Sequence, residues 1–123
     1  MGKYTVKKTE SGYHFNLKVD NDEIIGKSEV YNTKTACMNG IESVKKNGPV
    51  AKVEDQTVAD YKKVTNPKYV VAQDKAGKFR FNLTATNGQV ILSSQAYKEL
   101  PGCMNGIASV QKNSGDSEIA EEE

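Results

Sequence analysis

The sequence predicts an α+β fold made of two tandem β-β-β-α-β repeats, in which an antiparallel sheet packs against two helices under a pseudo-two-fold axis. Three observations predict this fold. The stretch from Tyr13 to Asn47 aligns without a gap with the stretch from Phe79 to Asn113, and 16 of the 35 positions are identical. Each copy has a strand pattern followed by a helix pattern. One copy alone is too small to bury a stable core, so we expect each copy to complete the other.

The chain has 123 residues, which is the length of one domain. The linker between the copies is expected to end at Asn66-Pro67, a turn signal. The acidic end of the chain is expected to be a disordered tail. The expected layout is a single domain over residues 1–120, with a first repeat at 3–54, a linker at 55–67, a second repeat at 68–120 and the tail at 121–123.

Three strands open each repeat. Tyr13 to Val19 alternates apolar and polar residues, as a half-buried strand does, and Phe79 to Ala85 repeats this pattern. Asn87-Gly88 is a strong hairpin signal because glycine accepts a positive φ. We therefore expect a meander of three antiparallel strands in each copy, with a first strand over residues 4–8 and third strands over 23–27 and 89–93.

A helix is predicted from Thr33 to Lys46. Its apolar positions form one stripe, at Cys37, Ile41 and Val44. Asn32 or Thr33 is the expected N-cap. Gly48 is expected in the left-handed conformation, and Pro49 forbids continuation of the helix. We expect a short fourth strand after each helix, at residues 50–54 and, with a weaker pattern, at 118–120.

The second helix repeats this pattern, with its stripe at Cys103, Ile107 and Val110. Pro101 lies near its first turn, where the missing N–H costs nothing. Gly40 and Gly106 lie inside the two helices, where glycine costs about 1 kcal/mol relative to alanine. We expect these glycines to allow two backbones to approach closely; room for a ligand is the alternative.

The second copy carries a combination of motifs, which stand at Gly77 to Leu83, Asn87 to Ile91, Ser94, Tyr97 and Asn105 to Asn113. This combination resembles the YegP-like family, small bacterial proteins with one or two such repeats. The resemblance covers nearly the whole chain and implies a repeated β-β-β-α-β unit in a bacterial or archaeal, cytoplasmic protein. It implies no catalytic residue, because the family is described as of unknown function. The first copy departs from the pattern at His14, Asp22 and Gly26.

Composition excludes some classes of protein. No apolar run approaches the roughly 18 residues of a membrane span, and the N-terminal residues have no signal-peptide pattern, so we expect a cytoplasmic protein. The net charge is +1, with a mildly basic body and an acidic C-terminal stretch. This balance is compatible with a polyanionic partner. However, Arg80 is the single arginine, and nucleic-acid surfaces usually rely on arginine.

Residues that could carry chemistry are few. Cys37 and Cys103 occupy equivalent helix positions and are not part of a CxxC motif or a His/Cys cluster, so we expect no metal site and no cofactor. We expect both to be buried, reduced thiols, and a disulfide between them would require the two helices to touch. His14 is the single histidine, and no nucleophile or acid that it could serve is identifiable.

The candidate binding surface consists of polar residues that recur in the two copies or share a strand face. On the outer face of the sheet these are Asn16, Lys18, Arg80 and Asn82; on the helices they are Asn39, Ser43, Lys46, Asn105, Ser109 and Lys112. The helix positions could instead anchor loop backbone at the sheet edge, and the sheet positions could be an ordinary solvated face.

From these residues we expect a non-catalytic binding or interaction module. The alternative is a small enzyme or a thiol-based sensor with an unrecognised site. The partner is unknown; nucleic acid is the leading ligand class, although the aromatic residues fall on the core-facing side of the strands. We expect a monomer that is internally a pseudo-dimer, or a homodimer.

Overall fold

The computed structural model describes residues 2–19 and 23–122. The elements of the first repeat are β1 (Lys3–Thr9), β2 (Gly12–Val19), β3 (Glu23–Lys27), α1 (Lys34–Asn47) and β4 (Lys52–Asp55). Those of the second repeat are β5 (Lys68–Gln73), β6 (Phe79–Thr84), β7 (Val90–Ser93), α2 (Leu100–Asn113) and β8 (Glu118–Glu122). The order confirms the predicted pair of β-β-β-α-β units.

All eight strands form one sheet in the order β4-β5-β6-β7-β3-β2-β1-β8. The inner strands pair antiparallel, but β4 pairs parallel with β5 and β8 pairs parallel with β1. The sheet is therefore mixed, and the prediction of an antiparallel sheet is wrong at both edges. Parallel neighbours need a long crossover connection, and residues 56–67 supply one of that kind between β4 and β5.

The fourth strand of each repeat belongs to the sheet of the other repeat. We use the name first half-sheet for β8, β1, β2 and β3, and second half-sheet for β7, β6, β5 and β4. The two half-sheets meet where Lys27 of β3 pairs with Ser93 of β7. These residues occupy equivalent positions in the two repeats, so the pseudo-two-fold axis passes between them.

Both helices cover the same face of the sheet and close one hydrophobic core. Its centre contains four fully buried side chains, Phe15 and Leu17 of β2 with Phe81 and Leu83 of β6. Alternation along the strands places these residues on one face, as predicted. Among residues 2–19 and 23–122, no helix is long and apolar enough to cross a membrane.

The first strands of the two repeats, β1 and β5, also contribute equivalent aromatic residues to the core. Tyr4 lies opposite Leu17 and packs edge-on against Phe15, with ring centroids 5.8 Å apart. Tyr69 lies opposite Leu83 and packs edge-on against Phe81, at 5.9 Å. The paired residues Tyr69 and Leu83 are one position further apart in the sequence than Tyr4 and Leu17. A gapless alignment therefore misses this equivalence.

The C-terminal ends of the two helices meet near the axis. Gly48 follows α1 in the right-handed conformation, with φ −56°, so the predicted left-handed cap is wrong. Glycine is required there because a Cβ atom would overlap the Oγ atom of Ser114, which occupies the equivalent position after α2. The Tyr4 hydroxyl donates to the carbonyl of Ser114, and the Tyr69 hydroxyl donates to the carbonyl of Gly48, each at 2.6 Å. Tyrosines from the opposite repeats thus satisfy these two buried carbonyls.

Other local predictions have mixed outcomes. Thr33 is the N-cap of α1, since its Oγ1 accepts the backbone N–H of Ala36 at 3.1 Å, and Pro101 lies in the first turn of α2. Strand β8 runs to Glu122, so the structure places residues 121 and 122 in the sheet rather than in the expected disordered tail. Its backbone pairs with β1 as far as Lys7, which accounts for the difference. Residue 123 lies outside the described part of the chain.

Candidate functional site

The face of the sheet that the helices leave uncovered, called the outer face here, carries a transverse row of side chains through the axis. The register aligns one residue from each strand, in the order Ala120, Thr5, Asn16, Lys27, Ser93, Asn82, Val70 and Glu54. Asn16 and Asn82 therefore flank the axis symmetrically. The predicted position of these two residues on the outer face agrees with the register.

A groove of about 730 Å³ lies over the axis. It forms because β3 and β7 meet at the pair of Lys27 and Ser93 and then separate. Ile24 and Val90 are apolar, equivalent in the two repeats, and 43% and 39% exposed, so they supply apolar walls. The cationic side chains of Lys27 and Arg80 also line the groove. The junction of the half-sheets is thus a concave site with mixed apolar and cationic walls.

The floor of the groove explains one difference between the repeats. Gly26 of β3 is the counterpart of Leu92 of β7, and a Cβ atom on Gly26 would lie 2.6 Å from the Leu92 side chain. One leucine, fully buried, fills the space beside the axis. A second leucine has no room there, so the departure of Gly26 from the repeat pattern is a packing requirement.

The two ends of the groove differ in charge. At one end, Nε of Arg80 donates to Oδ2 of Asp74 at 3.1 Å. The pKa of Asp74 is lowered, first by the backbone N–H of Lys78 and then by Arg80. The equivalent of Arg80 in the first repeat is His14, which lies on the outer face beside the groove and does not line it. There, burial and then the nearby charges of Lys27 and Lys7 lower the pKa of His14 below its ordinary value.

The outer face is closed near β4. Glu54 is 2% exposed; its carboxylate accepts Lys68 Nζ at 2.9 Å, the backbone N–H of Val64 at 2.9 Å and Gln56 Nε2 at 2.6 Å. These contacts, with Lys68 first, hold the pKa of Glu54 at about 2. Because Gln56 and Val64 belong to the linker, the linker lies over this end of the sheet and leaves the open surface at the axis.

The predicted binding surface separates into two surfaces on opposite sides of the molecule. Arg80 and Asn82 are exposed on the outer face, and Asn16 and Lys18 are half-buried there. The helix residues lie on the far side of the core, and the exposed ones among them are Asn39, Lys46, Asn105 and Lys112.

The two helix serines have a local structural role. Asn47 Nδ2 donates to the carbonyl and Oγ of Ser43, at 2.9 and 3.2 Å. Asn113 Nδ2 makes the same contacts with Ser109, at 2.9 and 3.3 Å. These bonds close the last turn of each helix and do not anchor loop backbone at the sheet edge.

The repeated helix glycines have a different explanation from the predicted approach of two backbones. A Cβ atom on Gly40 would lie 2.9 Å from the Tyr31 ring, and one on Gly106 would lie 3.0 Å from the Tyr97 ring. Each tyrosine also stacks on the phenylalanine of β2 or β6, at centroid distances of 6.4 and 6.5 Å. The space is occupied by a tyrosine ring, which also excludes the alternative of room for a ligand.

The cysteines are placed as free, fully buried thiols. Burial raises the pKa of Cys37, and burial together with Asp55 raises the pKa of Cys103 to about 11. A thiol of this kind is a poor nucleophile at neutral pH because the thiolate is the reactive form. In the described part of the chain, no group of three or more His, Cys, Asp or Glu side chains could hold a metal ion.

Sequence reasoning missed the central residues of the groove, namely Ile24, Lys27, Val90 and Ser93. They lie in the short strands β3 and β7, whose pairing across the repeats joins residues distant in sequence. A signal existed: residues that differ between otherwise similar copies, such as Lys27 and Ser93, lie closest to the axis.

Comparisons with known proteins agree with the internal duplication. The chain matches the family described as "Domain of unknown function (DUF1508)" twice, at residues 9–55 and 74–121. It is similar to the UPF0339 protein YegP of Yersinia pestis, with 40% identity over 114 residues that cover 92% of this chain and 88% of the relative. A UPF0339 protein of Pseudomonas aeruginosa is 36% identical over 121 residues, covering 98% and 96%.

Two solved structures share the fold. The solution NMR structure of the protein of unknown function yegP from E. coli has a TM-score of 0.80 at 33% identity, and the match covers 98% of this chain and 91% of that one. The solution NMR structure of a UPF0339 protein from Shewanella oneidensis has a TM-score of 0.80 at 35% identity, covering 98% and 90%.

Proposed function

This chain belongs to the DUF1508 family, and we propose that it is a non-catalytic binding module that holds an anionic ligand in the groove at the junction of its half-sheets. The observation that carries the proposal is the position of Lys27. Its side chain lies on the axis, lines the groove and has no ion pair among the residues that the structure describes. The ligand that this position favours is negatively charged.

The form of the groove supports a small ligand. Its volume of about 730 Å³ lies within the range of ligand pockets, roughly 300–1,000 Å³. Ile24 and Val90 offer apolar contact, while Ser93 and Arg80 offer hydrogen-bond donors. An organic anion with an apolar part fits these walls better than an inorganic ion alone.

The alternative of an enzyme or thiol sensor has weaker support. Both thiols are buried with raised pKa values and lie on the other side of the sheet from the groove. Catalysis by acid–base or nucleophilic chemistry needs a matched pair of groups. The described polar residues of the groove are one lysine, one ion-paired arginine, the exposed carboxylate of Glu29, and hydroxyl or amide side chains, and no nucleophile paired with a base is identifiable among them. A binding module needs no such catalytic pair, so the groups present in the groove are sufficient for binding.

A nucleic-acid ligand has one feature in its favour, the cationic outer face, and one against it. The large aromatic side chains pack in or against the core on the helix side, at Tyr4, Phe15, Tyr31, Tyr69, Phe81 and Tyr97. Single-stranded nucleic acids are usually held by exposed aromatic rings. We therefore treat an oligonucleotide as one arm of the test.

The cytoplasmic location also stays a prediction. It is supported by two cysteines held as free thiols, and cell fractionation tests it.

Thermal-shift measurements of the full chain test the proposal. The ligands are small organic phosphates and carboxylates, neutral analogues of the same size, and a short oligonucleotide. A ligand at 100 times its Kd stabilises the native state by about 2.7 kcal/mol, which raises the melting temperature measurably. We expect a rise with the anions, loss of this rise in Lys27→Ala, and no loss in Lys46→Ala.

Lys46 is the matched control because it is an exposed lysine on α1, on the opposite side of the molecule. An equal shift with neutral analogues, or anion shifts that Lys27→Ala leaves unchanged, would contradict the proposal. A shift with the oligonucleotide alone would replace the small anion by nucleic acid.

A further inference from the structure

Lys7, His14 and Lys27 form a cluster of cationic or protonatable groups on the outer face, called the histidine end here. Of the three, Lys27 lines the groove, while His14 and Lys7 lie beside it. Lys7 is the register partner of His14 on β1, and Lys27 lies diagonally opposite on β3, where it pairs with Asn16. All three side chains belong to the outer face. Strand β2 thus carries His14 between a lysine on each neighbouring strand.

This cluster has acidic residues nearby but no ion pair among the described residues. Neither Lys7 nor Lys27 forms one, whereas Arg80, the counterpart of His14, is paired with Asp74. The groups that face His14 from the adjacent strands are Lys7 and Lys27; Glu29 follows β3 at the groove wall, and Glu122 is the register partner of Lys7 on β8. Because the two lysines form no ion pair within the described residues, a bound anion can contact them.

Unsatisfied polar atoms accompany the positive charge. The Nδ1 atom of His14 is buried and has no hydrogen-bond partner among the residues that the structure describes. Within the same residues, the Oγ1 atom of Thr5, in the adjacent transverse row, is also buried and unpartnered, and Thr5 is 1% exposed. Buried polar atoms in proteins are normally hydrogen-bonded, so unpaired ones are expected to have a reason.

We propose that the histidine end binds a tetrahedral oxyanion, with His14 taking up a proton as the anion binds. This inference rests on the proposed function, since it names the end of the groove that holds the charged group of the ligand. Arg80 then contacts the remainder of the ligand and does not hold the oxyanion.

The physical basis is proton linkage. In the free protein, burial and then the charges of Lys27 and Lys7 disfavour the charged imidazole, so the pKa of His14 lies below its ordinary value. An oxyanion placed among these groups reverses the local charge, which favours imidazolium. Binding and protonation must then strengthen each other equally: if the anion raises the pKa by one unit, its affinity rises about tenfold at low pH.

NMR titration of the full chain provides a direct measurement, because His14 is the single histidine and its imidazole signals need no assignment. Sulfate is the probe, since it stays a dianion over the whole range of the titration. Sodium chloride at equal ionic strength is the control for screening. We expect sulfate to raise the pKa of His14 by about one unit beyond chloride, and to bind more tightly at pH 5.5 than at pH 8, by a factor that approaches about ten only at a pH well below the pKa of the free protein.

Variants locate the effect. Lys7→Gln and Lys27→Gln should each shrink the sulfate-dependent change in the His14 pKa, while Arg80→Gln should leave it intact. Equal effects of sulfate and chloride on His14 overturn the inference, and so does loss of the sulfate effect in Arg80→Gln.

A second comparison separates this inference from the proposed function. His14→Gln is examined with the organic anions of the thermal-shift experiment. Shifts that depend on Lys27 but are unchanged and pH-independent in His14→Gln overturn the histidine end as the oxyanion site while the binding module stands. A sulfate effect on His14 without any organic-anion binding supports the oxyanion site and removes the larger groove as its ligand pocket.

Discussion

The two repeats are similar on the side of the sheet that faces the helices and differ at several positions on the outer face. On the helix side, Phe15, Leu17 and Tyr31 have identical counterparts in the second repeat. On the outer face near the axis, His14 corresponds to Arg80, Lys27 to Ser93 and Lys18 to Thr84. The difference indicates where the duplicated unit is constrained by folding and where it is free to change.

Some polar residues that are identical in the two copies also have a structural role. Ser28 illustrates this: its Oγ accepts the backbone N–H of Phe15 at 2.9 Å and donates to the carbonyl of Glu29 at 2.7 Å. Ser94 makes the same two contacts with Phe81 and Gln95. The repeated serines Ser28 and Ser94 therefore mark a repeated backbone contact, and we look for a candidate site where the copies disagree.

Separating the two copies is expected to have the largest effect on stability. A chain of residues 1–55 contains β4 without β5 and β1 without β8, so both edges of its structure lack their parallel partners. We expect it to be unfolded, or to fold by dimerising. Circular-dichroism melting at several concentrations tests this; a cooperative melt of a monomer, independent of concentration, would show that one repeat is sufficient.

Shortening a core side chain on the helix side of the sheet is expected to have the second largest effect on stability. Ile107 is 2% exposed in the core, and Ile107→Ala should lower the free energy of unfolding by about 2–5 kcal/mol, through lost burial and the cavity left behind. Asn82→Ala, on the exposed outer face, should stay within about 0.5 kcal/mol. Denaturant midpoints at unchanged m-value provide the measurement. A comparable loss in Asn82→Ala would give the outer face a structural role and weaken the binding proposal.

The difference in size between Gly26 and its counterpart Leu92 predicts an intermediate effect on stability. Gly26→Ala places a Cβ atom against the buried Leu92 side chain and should destabilise the protein by about 1–3 kcal/mol. Combining it with Leu92→Ala should cost less than the sum of the two single changes, because the smaller residue removes the clash. Additive losses in this double-mutant cycle would mean that the two positions do not share one space.

The smallest expected effect on stability concerns Glu54, at the edge of the second half-sheet. The equivalent residue of the second repeat is Ala120, which has no carboxylate. The pKa of Glu54 falls from 4.5 to about 2 in the native state, so its carboxylate stabilises the fold above pH 4.5. This contribution should be lost progressively as the pH falls from 4.5 towards 2. Stability measured against pH should therefore decline more steeply over this interval in the native chain than in Glu54→Gln; parallel curves would contradict it.

Much of the fold could be predicted from the sequence because its strongest signals are local. Alternation fixed the faces of β2 and β6, and the apolar stripe from Cys37 to Val44 fixed the buried face of α1. The strand exchange was missed because a hydrophobic pattern tells which face of a strand is buried but not which strand lies beside it. The role of Gly48 was missed for a similar reason, since its neighbour Ser114 is brought close by tertiary structure.

The strand face of two candidate site residues could be predicted for the same reason, while the site itself stays a proposal. Arg80 and Asn82 were placed on the outer face by alternation along β6. Helix positions such as Ser43 were assigned to the candidate binding surface. The sequence alone does not distinguish a serine that hydrogen-bonds within its own helix from one that is free to bind a ligand. The groove itself depends on the pairing of Lys27 with Ser93, which no local pattern specifies.

The exchange of fourth strands also bears on the order in which the structure can assemble during synthesis. Strand β1 is made first but pairs on one side with β8, so Lys3 and Glu118 must find each other across nearly the whole chain. Contacts of such long sequence separation form slowly. On the ribosome, the first half-sheet stays open at the β1 edge until residues 118–122 have been made, and for all that time the nascent chain presents a free strand edge to its surroundings.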